Sequence, residues 1–158
     1  MSDCMSFIPH IVVSNAAAAI DFYKQAFGAT EVARHVAPDS NKIMHALLAI
    51  NGGHLILNDD FSEAMGQKPS TPEALGGTPL TLHLQVADAD AAWSKAVSAG
   101  AEITFPLKDQ FWGDRYGQLR DPFGHKWSIA QTIARPNPQE LEKGARESMK
   151  QAKEHAHA

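Results

Sequence analysis

The side chains best placed for chemistry are four histidines, His10, His45, His54 and His83, each inside a strand-like segment. Imidazole is the one side chain whose ordinary pKa lies near neutrality, so it serves as ligand, acid or base. His10 and His83 occupy equivalent positions in two copies of one pattern, which leaves three readings open. They are neutral ligands to zinc or a related divalent ion, with His45 or His54 as a third. Or they contact a bound molecule as hydrogen-bonding or acid–base groups. Or they are structural. Phe111 and Trp112 sit in a loop, where aromatic rings cover apolar or planar ligands. Tyr116, Gln118 and Arg120 alternate along the next strand and share one face. Arg120 reads either as an anion contact or as an ion pair with its neighbour Asp121, and Asp114 with Arg115 reads as turn architecture. No glycine-rich phosphate loop, Cys–His pair or nucleophile elbow occurs.

The elements that must position these groups are written twice, with a period of about 73 residues. The first copy opens PHIVVSNAAAAIDFYKQAFGATEV and the second LHLQVADADAAWSKAVSAGAEI. Each reads as a short strand, a polar capping residue (Asn15, Asp88), a helix, and a terminating glycine (Gly28, Gly100). Ile20, Tyr23 and Phe27 recur at helical spacing, as do Ala89, Trp93 and Val97. Strands are expected over Glu31–His35, His45–Ile50 and His54–Asn58 in the first copy, the last two joined by an Asn51-Gly52-Gly53 hairpin turn. In the second they are expected over Glu102–Phe105, Arg115–Arg120 and Lys126–Gln131, with Asp121-Pro122-Phe123-Gly124 as a turn. The fold class is therefore α+β: two paired β-α-β-β-β modules forming a cup-shaped mixed sheet, plus a C-terminal helix. The modules span 7–58 and 80–131, with a Gly/Pro/Ser-rich linker at 59–79 and a helical tail at 137–155. The tail starts with Asn137 as cap and Pro138 in the first turn. Leu141, Ala145, Met149 and Ala152 make a thin apolar stripe suited to surface packing or a dimer mate. His155 and His157 are expected to be disordered.

Strand alternation sorts the faces. Ile11, Val13, Ala46, Leu48, Ile50, Leu55, Leu57, Leu82, Leu84 and Val86 should meet the helices. Ile8, His10, Val12, His45, Leu47, Ala49, His54, Ile56, Asn58, Thr81, His83 and Gln85 then point the other way. All four histidines fall on the face turned from the helices, and with Trp112 and Gln118 they form the candidate ligand-binding set.

The chain has 158 residues, 44% hydrophobic and 20% charged, with a formal net charge of −4. Acidic and basic residues are interspersed, which gives no nucleic-acid footprint, and no apolar run approaches a bilayer span. The N-terminus carries an acid and no basic run and is not expected to be a signal peptide. A single cysteine, Cys4, suits a reducing cytoplasm. The expected partner is a small-molecule ligand, with neither nucleic acid nor membrane.

The duplicated module, the segment AIDFYKQAFGA and the segment RDPFGHKW resemble the vicinal oxygen chelate superfamily, which includes glyoxalase I, extradiol dioxygenases, fosfomycin-resistance transferases and bleomycin-resistance proteins. The longer run DQFWGDRYGQLRDPFGHKWSIA is similar to the PhnB-like branch, and the resemblance covers about residues 7 to 131. It implies an incompletely closed cup around a ligand, often completed across a homodimer. It also implies a divalent metal held from four strand positions, which correspond here to Ile8, Ile56, Thr81 and Ser128. None of these is a usual ligand, and isoleucine offers no donor atom. The expectation is a bleomycin-resistance-like protein binding a small organic molecule with no cofactor. The alternative is a lyase, isomerase or transferase assisted by a displaced metal or by histidine.

Overall fold

In the computed structural model, residues 6–157 are described, so Cys4 lies outside the described residues. The chain folds as β1 (His10–Val13), α1 (Ala16–Phe27), β2 (Thr30–Val36), β3 (Ile43–Ile50) and β4 (Gly53–Asp59). The second module repeats this as β5 (Thr81–Gln85), α3 (Ala89–Ala99), β6 (Glu102–Asp109), β7 (Asp114–Arg120) and β8 (Lys126–Thr132). Between them the linker holds a 3-10 turn (Glu63–Met65) and the short α2 (Pro72–Leu75), and α4 (Pro138–Ala156) closes the chain.

The strands divide into two four-stranded mixed sheets, ordered β1-β4-β3-β2 and β5-β8-β7-β6. In each, the first strand runs parallel to the last, and the remaining pairs are antiparallel. The expected caps form: Asn15 accepts from the Ala18 N–H and Asp88 from the Ala91 N–H, both at 3.0 Å. The β3–β4 hairpin turns through Asn51 (φ 47°) and Gly52 (φ 78°), the paired positive φ values of a type I′ turn. The strand β6 is longer than expected and runs on to Asp109.

The helices α1 and α3 pack against each other, and each lies on its own sheet. Ile11, Val13, Leu48, Leu57, Leu84 and Ile129 are buried on the helix side, as the alternation requires. Between the modules, Phe27 stacks on Trp127 with ring centroids 4.2 Å apart. The Tyr23 hydroxyl donates to Asp121 at 2.7 Å, and Trp127 Nε1 donates to the same oxygen at 2.9 Å. The other carboxylate oxygen of Asp121 accepts the backbone N–H groups of Phe123 and His125. Asp121 is thus a buried structural hub. Of the two readings of Arg120, the ion pair with Asp121 does not form: Arg120 pairs with Glu102 at 2.9 Å, while Asp121 is turned into the core. Burial, reinforced by the Asp121 charge, pushes the Tyr23 phenol well above its ordinary pKa.

The tail helix has the expected cap as a reciprocal capping box between Asn137 and Glu140. It rests on the Phe111 loop at Gly144, where an added Cβ would lie 2.5 Å from Phe111 Cβ. Leu141 and Ala145 are half-buried, whereas Met149 and Ala152 stay exposed. Contrary to the expected disorder, α4 runs through His155, whose Nδ1 bonds the Gln151 carbonyl, while His157 bonds that of Lys153. Helical i→i−4 geometry brings those carbonyls within reach.

Candidate functional site

The open face of the second sheet carries the densest group of polar and aromatic side chains. Strand register lines up His83, Ser128, Gln118 and Phe105 in one row across β5, β8, β7 and β6. The His83 and Tyr116 rings lie nearly parallel, 21° apart in plane and 6.3 Å between centroids. Trp112 meets Tyr116 edge-on at 5.5 Å, and Phe105 is tilted against it at 6.3 Å. Trp112 and Phe105 remain 38% and 42% exposed, large values for rings held this firmly. Gln118 Nε2 donates to the Tyr116 hydroxyl oxygen at 2.8 Å. That arrangement leaves the phenol hydrogen and Gln118 Oε1 available to a ligand.

A hydrogen-bond chain fixes the polar half. His83 Nδ1 lies 2.7 Å from Ser128 Oγ, and His83 Nε2 lies 2.9 Å from Gln85 Oε1. Gln85 Nε2 donates to Thr132 Oγ1 at 2.9 Å and to Asp114 Oδ1 at 3.4 Å. Thr132 donates to the same Asp114 oxygen, and the Trp112 indole donates to the other. Arg115 is not paired with Asp114. It points to the helix side and bonds Asp90 and Asp109, which lie within reach there. The two exposed carboxylates raise the Arg115 pKa, and Arg115 lowers that of Asp90.

The other histidines are distributed, not gathered. His10 is on the open face of the first sheet, where its Nε2 lies 2.5 Å from Asn58 Oδ1. The Asn58 amide nitrogen donates to the Asp59 carbonyl, which turns Oδ1 toward His10 and makes Nε2 the donor. His10 lines a hollow of about 300 Å³ with Val12, Met44, Asn58 and Phe61. His45 faces His35 across β3 and β2 with ring centroids at 5.9 Å, and its Nδ1 is buried without a partner. His54 and His83 meet at a cleft of about 170 Å³ between the modules, walled by Pro9, Leu55, Leu82 and Trp127. The structure therefore joins His83, Trp112 and Gln118, links His54 to that group's edge, and leaves His10 and His45 on the first sheet. Gln85 and Tyr116 join the group on the face that alternation gives them, and Asp114 and Thr132 enter through register: adjacent strands place these two opposite one another, which spacing along one strand does not reveal.

The four positions to which the resemblance assigns metal ligands are Ile8, which lies ahead of β1, and Ile56, Thr81 and Ser128. Two are hydrocarbon, and the Ser128 hydroxyl is engaged with His83. Both ring nitrogens of His83 already have partners, Ser128 and Gln85. Among the described residues no three His, Cys, Asp or Glu side chains come together as ligands would. The residues present do not fit a resident divalent ion.

A family model described as the Glyoxalase/Bleomycin resistance protein/Dioxygenase superfamily matches residues 7–129. The chain belongs to this superfamily. It is 51% identical over 134 residues to an uncharacterised protein of Mycobacterium tuberculosis strain H37Rv, covering 85% of this chain and 78% of the relative. Among solved structures it is similar to TioX from Micromonospora sp. ML1, at 27% identity and a TM-score of 0.64, covering 82% of this chain and 99% of TioX. A PhnB protein from Bacillus cereus, described as a putative 3-demethylubiquinone-9 3-methyltransferase, shares the fold at 18% identity. Its TM-score is 0.61, with 80% of this chain and 99% of that one covered. No described helix is long and apolar enough to cross a membrane.

Proposed function

We propose that this superfamily member binds a small, planar organic molecule on the open face of its second sheet and does so without a metal. The observation that carries this reading is the Tyr116 platform: three further rings (His83, Trp112, Phe105) lie within 6.3 Å of it, two of them well exposed. Flat rings in offset or edge contact favour a flat partner, and each such contact is worth about 0.5–1.5 kcal/mol. Gln118 Oε1 and the Tyr116 hydroxyl give a ligand one acceptor and one donor for orientation. His54 lines the inter-module cleft that reaches His83, and His10 and His45 belong to the facing wall of the cup.

The cup in this proposal closes in a homodimer, the first sheet of one copy roofing the second sheet of its mate. The supporting feature is apolar exposure on both sides: Met44 on the first sheet, Phe105 and Trp112 on the second. The cytoplasm is the compartment we assign, on the cysteine usage already noted.

The test is a thermal-shift screen against planar heteroaromatic compounds, glycopeptide drugs, glutathione, 2-oxoaldehydes, phosphonates and divalent ions, since a ligand selective for the folded state raises its melting temperature. A planar compound that stabilises the wild type, with affinity falling about tenfold in Trp112→Ala, is the expected result. Stabilisation by divalent ions alone, reversed by EDTA, overturns it. One observation favours the second reading, a histidine-assisted lyase, isomerase or transferase: the buried Nδ1 of His45 has no partner, as a group awaiting a substrate proton would. Turnover of a 2-oxoaldehyde–glutathione adduct that is lost in His45→Ala would establish it.

A further inference from the structure

We infer that Asp114 is the positioning residue of the second-sheet face, because its single carboxylate both sets the tautomer of His83 and latches the Trp112 ring. The inference concerns the face on which the proposed function rests, but its test reads the protein without ligand, so either can fail without the other.

The Gln85 amide has two orientations. With Nε2 toward Asp114 and Thr132, it donates to Thr132 Oγ1 at 2.9 Å and Asp114 Oδ1 at 3.4 Å. With the amide reversed, its oxygen would face the Asp114 carboxylate, acceptor against acceptor. Thr132 gives its one hydroxyl hydrogen to Asp114 Oδ1 at 3.0 Å, so toward Gln85 its oxygen can only accept, and the carboxylate thereby selects the first orientation. Gln85 Oε1 must then face His83 Nε2, 2.9 Å away, and that nitrogen must carry the hydrogen. His83 Nδ1 is left with its lone pair, and at 2.7 Å it can only accept the Ser128 hydroxyl hydrogen. A charge on β7 thus dictates, through one amide, which nitrogen of a histidine on β5 is protonated.

The second arm is shorter. The Trp112 indole donates to Asp114 Oδ2 at 3.1 Å, which fixes the ring that stands edge-on to Tyr116. Oδ1 serves the polar half and Oδ2 the aromatic half. An asparagine could keep an oxygen on one of these sides, whereas an alanine removes both acceptors at once. The role is one of positioning: nothing here requires Asp114 to touch a ligand.

The experiment is nitrogen-15 NMR of the histidine side chains in the full chain at about pH 8.5, where ordinary imidazole is neutral, together with the tryptophan indole N–H resonances assigned with Trp112→Phe. Wild type should show His83 as the Nε2–H tautomer, with its Nδ1 resonance that of an acceptor. Asp114→Ala should change the tautomer ratio by at least about fivefold, as loss of one charge-assisted bond implies, and move the Trp112 indole signal. Gln85→Met should release the tautomer while leaving the indole in place, and Trp112→Phe should leave the tautomer as in wild type. An Nδ1–H tautomer in wild type overturns the inference, as does an Asp114→Ala variant in which His83 is unchanged. Should Asp114→Ala fail to fold, Gln85→Met decides alone: an unchanged tautomer there also overturns it.

Discussion

An equivalent row of four residues crosses each sheet, and three of its four residues differ in kind between the modules. In the first it reads His10, Ile56, Leu47, Ala33; in the second it reads His83, Ser128, Gln118, Phe105. Only the histidine is common. Around it the first module is aliphatic, and His10 leans on one amide oxygen. The second surrounds its histidine with a hydroxyl, two amides, a carboxylate and three aromatic rings. The two backbones match while the open faces differ, the first row more aliphatic and the second more polar and aromatic. Scaffold positions stayed alike: Asp59 Oδ1 accepts the Ala16 N–H at 2.7 Å, and Gln131 Oε1 accepts the Ala89 N–H at 2.9 Å, both at the first residue of the module helix.

The strongest way to break this comparison is at the hub that only the second module has. Asp121→Ala strands the Tyr23 hydroxyl, the Trp127 indole and two backbone N–H groups, and should cost about 4 kcal/mol in urea unfolding. A loss under 1 kcal/mol would mean that the modules are joined chiefly by apolar packing. Next in size is the helix-start pair. Asp59→Ala removes a charged acceptor from the Ala16 and Ile43 N–H groups and should cost about 3 kcal/mol, against about 1 kcal/mol for Gln131→Ala. Equal losses would erase the asymmetry in how the two helices are anchored. At Gly117 an added Cβ would lie 2.6 Å from the Trp93 ring and 2.9 Å from Leu107 Cα, so Gly117→Ala should destabilise by about 2 kcal/mol. The ring of Trp93 should then move, and its fluorescence reports it.

The smallest effect belongs to the first module. Hydrogen bonds from Arg34 and Lys24 hold the Glu31 carboxyl below its ordinary pKa. A carboxyl lowered on folding contributes stability that is complete above its unfolded pKa and is lost as pH falls through the folded value. Glu31→Gln should therefore lower stability at neutral pH by less than about 1 kcal/mol and leave it unchanged in acid, because the pair is partly exposed. A penalty that persists in acid would assign the residue a packing role instead.

Much of the scaffold was legible from local signals. Asn15, Asp88, Gly28 and Gly100 bound the helices because capping chemistry acts within four residues. The alternation of Leu55, Leu57, Leu82 and Leu84 announced the helix side, because a strand has only two faces. The site was legible in part. His83 and Gln118 could be placed on a face and Trp112 in a loop, but Asp114 read as a turn residue, and Arg120 and Arg115 were set beside chain neighbours, Arg120 with an anion contact as its other reading. Their real partners are 18 and 25 residues away, for Glu102 and Asp90. Proximity in the chain is a poor guide to ion pairing on a strand, where neighbours point apart.

The amino-acid sequence alone decided the repeat, the helices and their ends, the buried faces and the absence of metal-binding side chains from four positions, since each depends on residue type or on spacing within one element. Tertiary structure alone decided which histidine is enclosed by partners, which carboxylate orients it and where the two modules lock together. Those outcomes depend on register between strands distant in the chain, and register arises only when whole sheets assemble around a shared core.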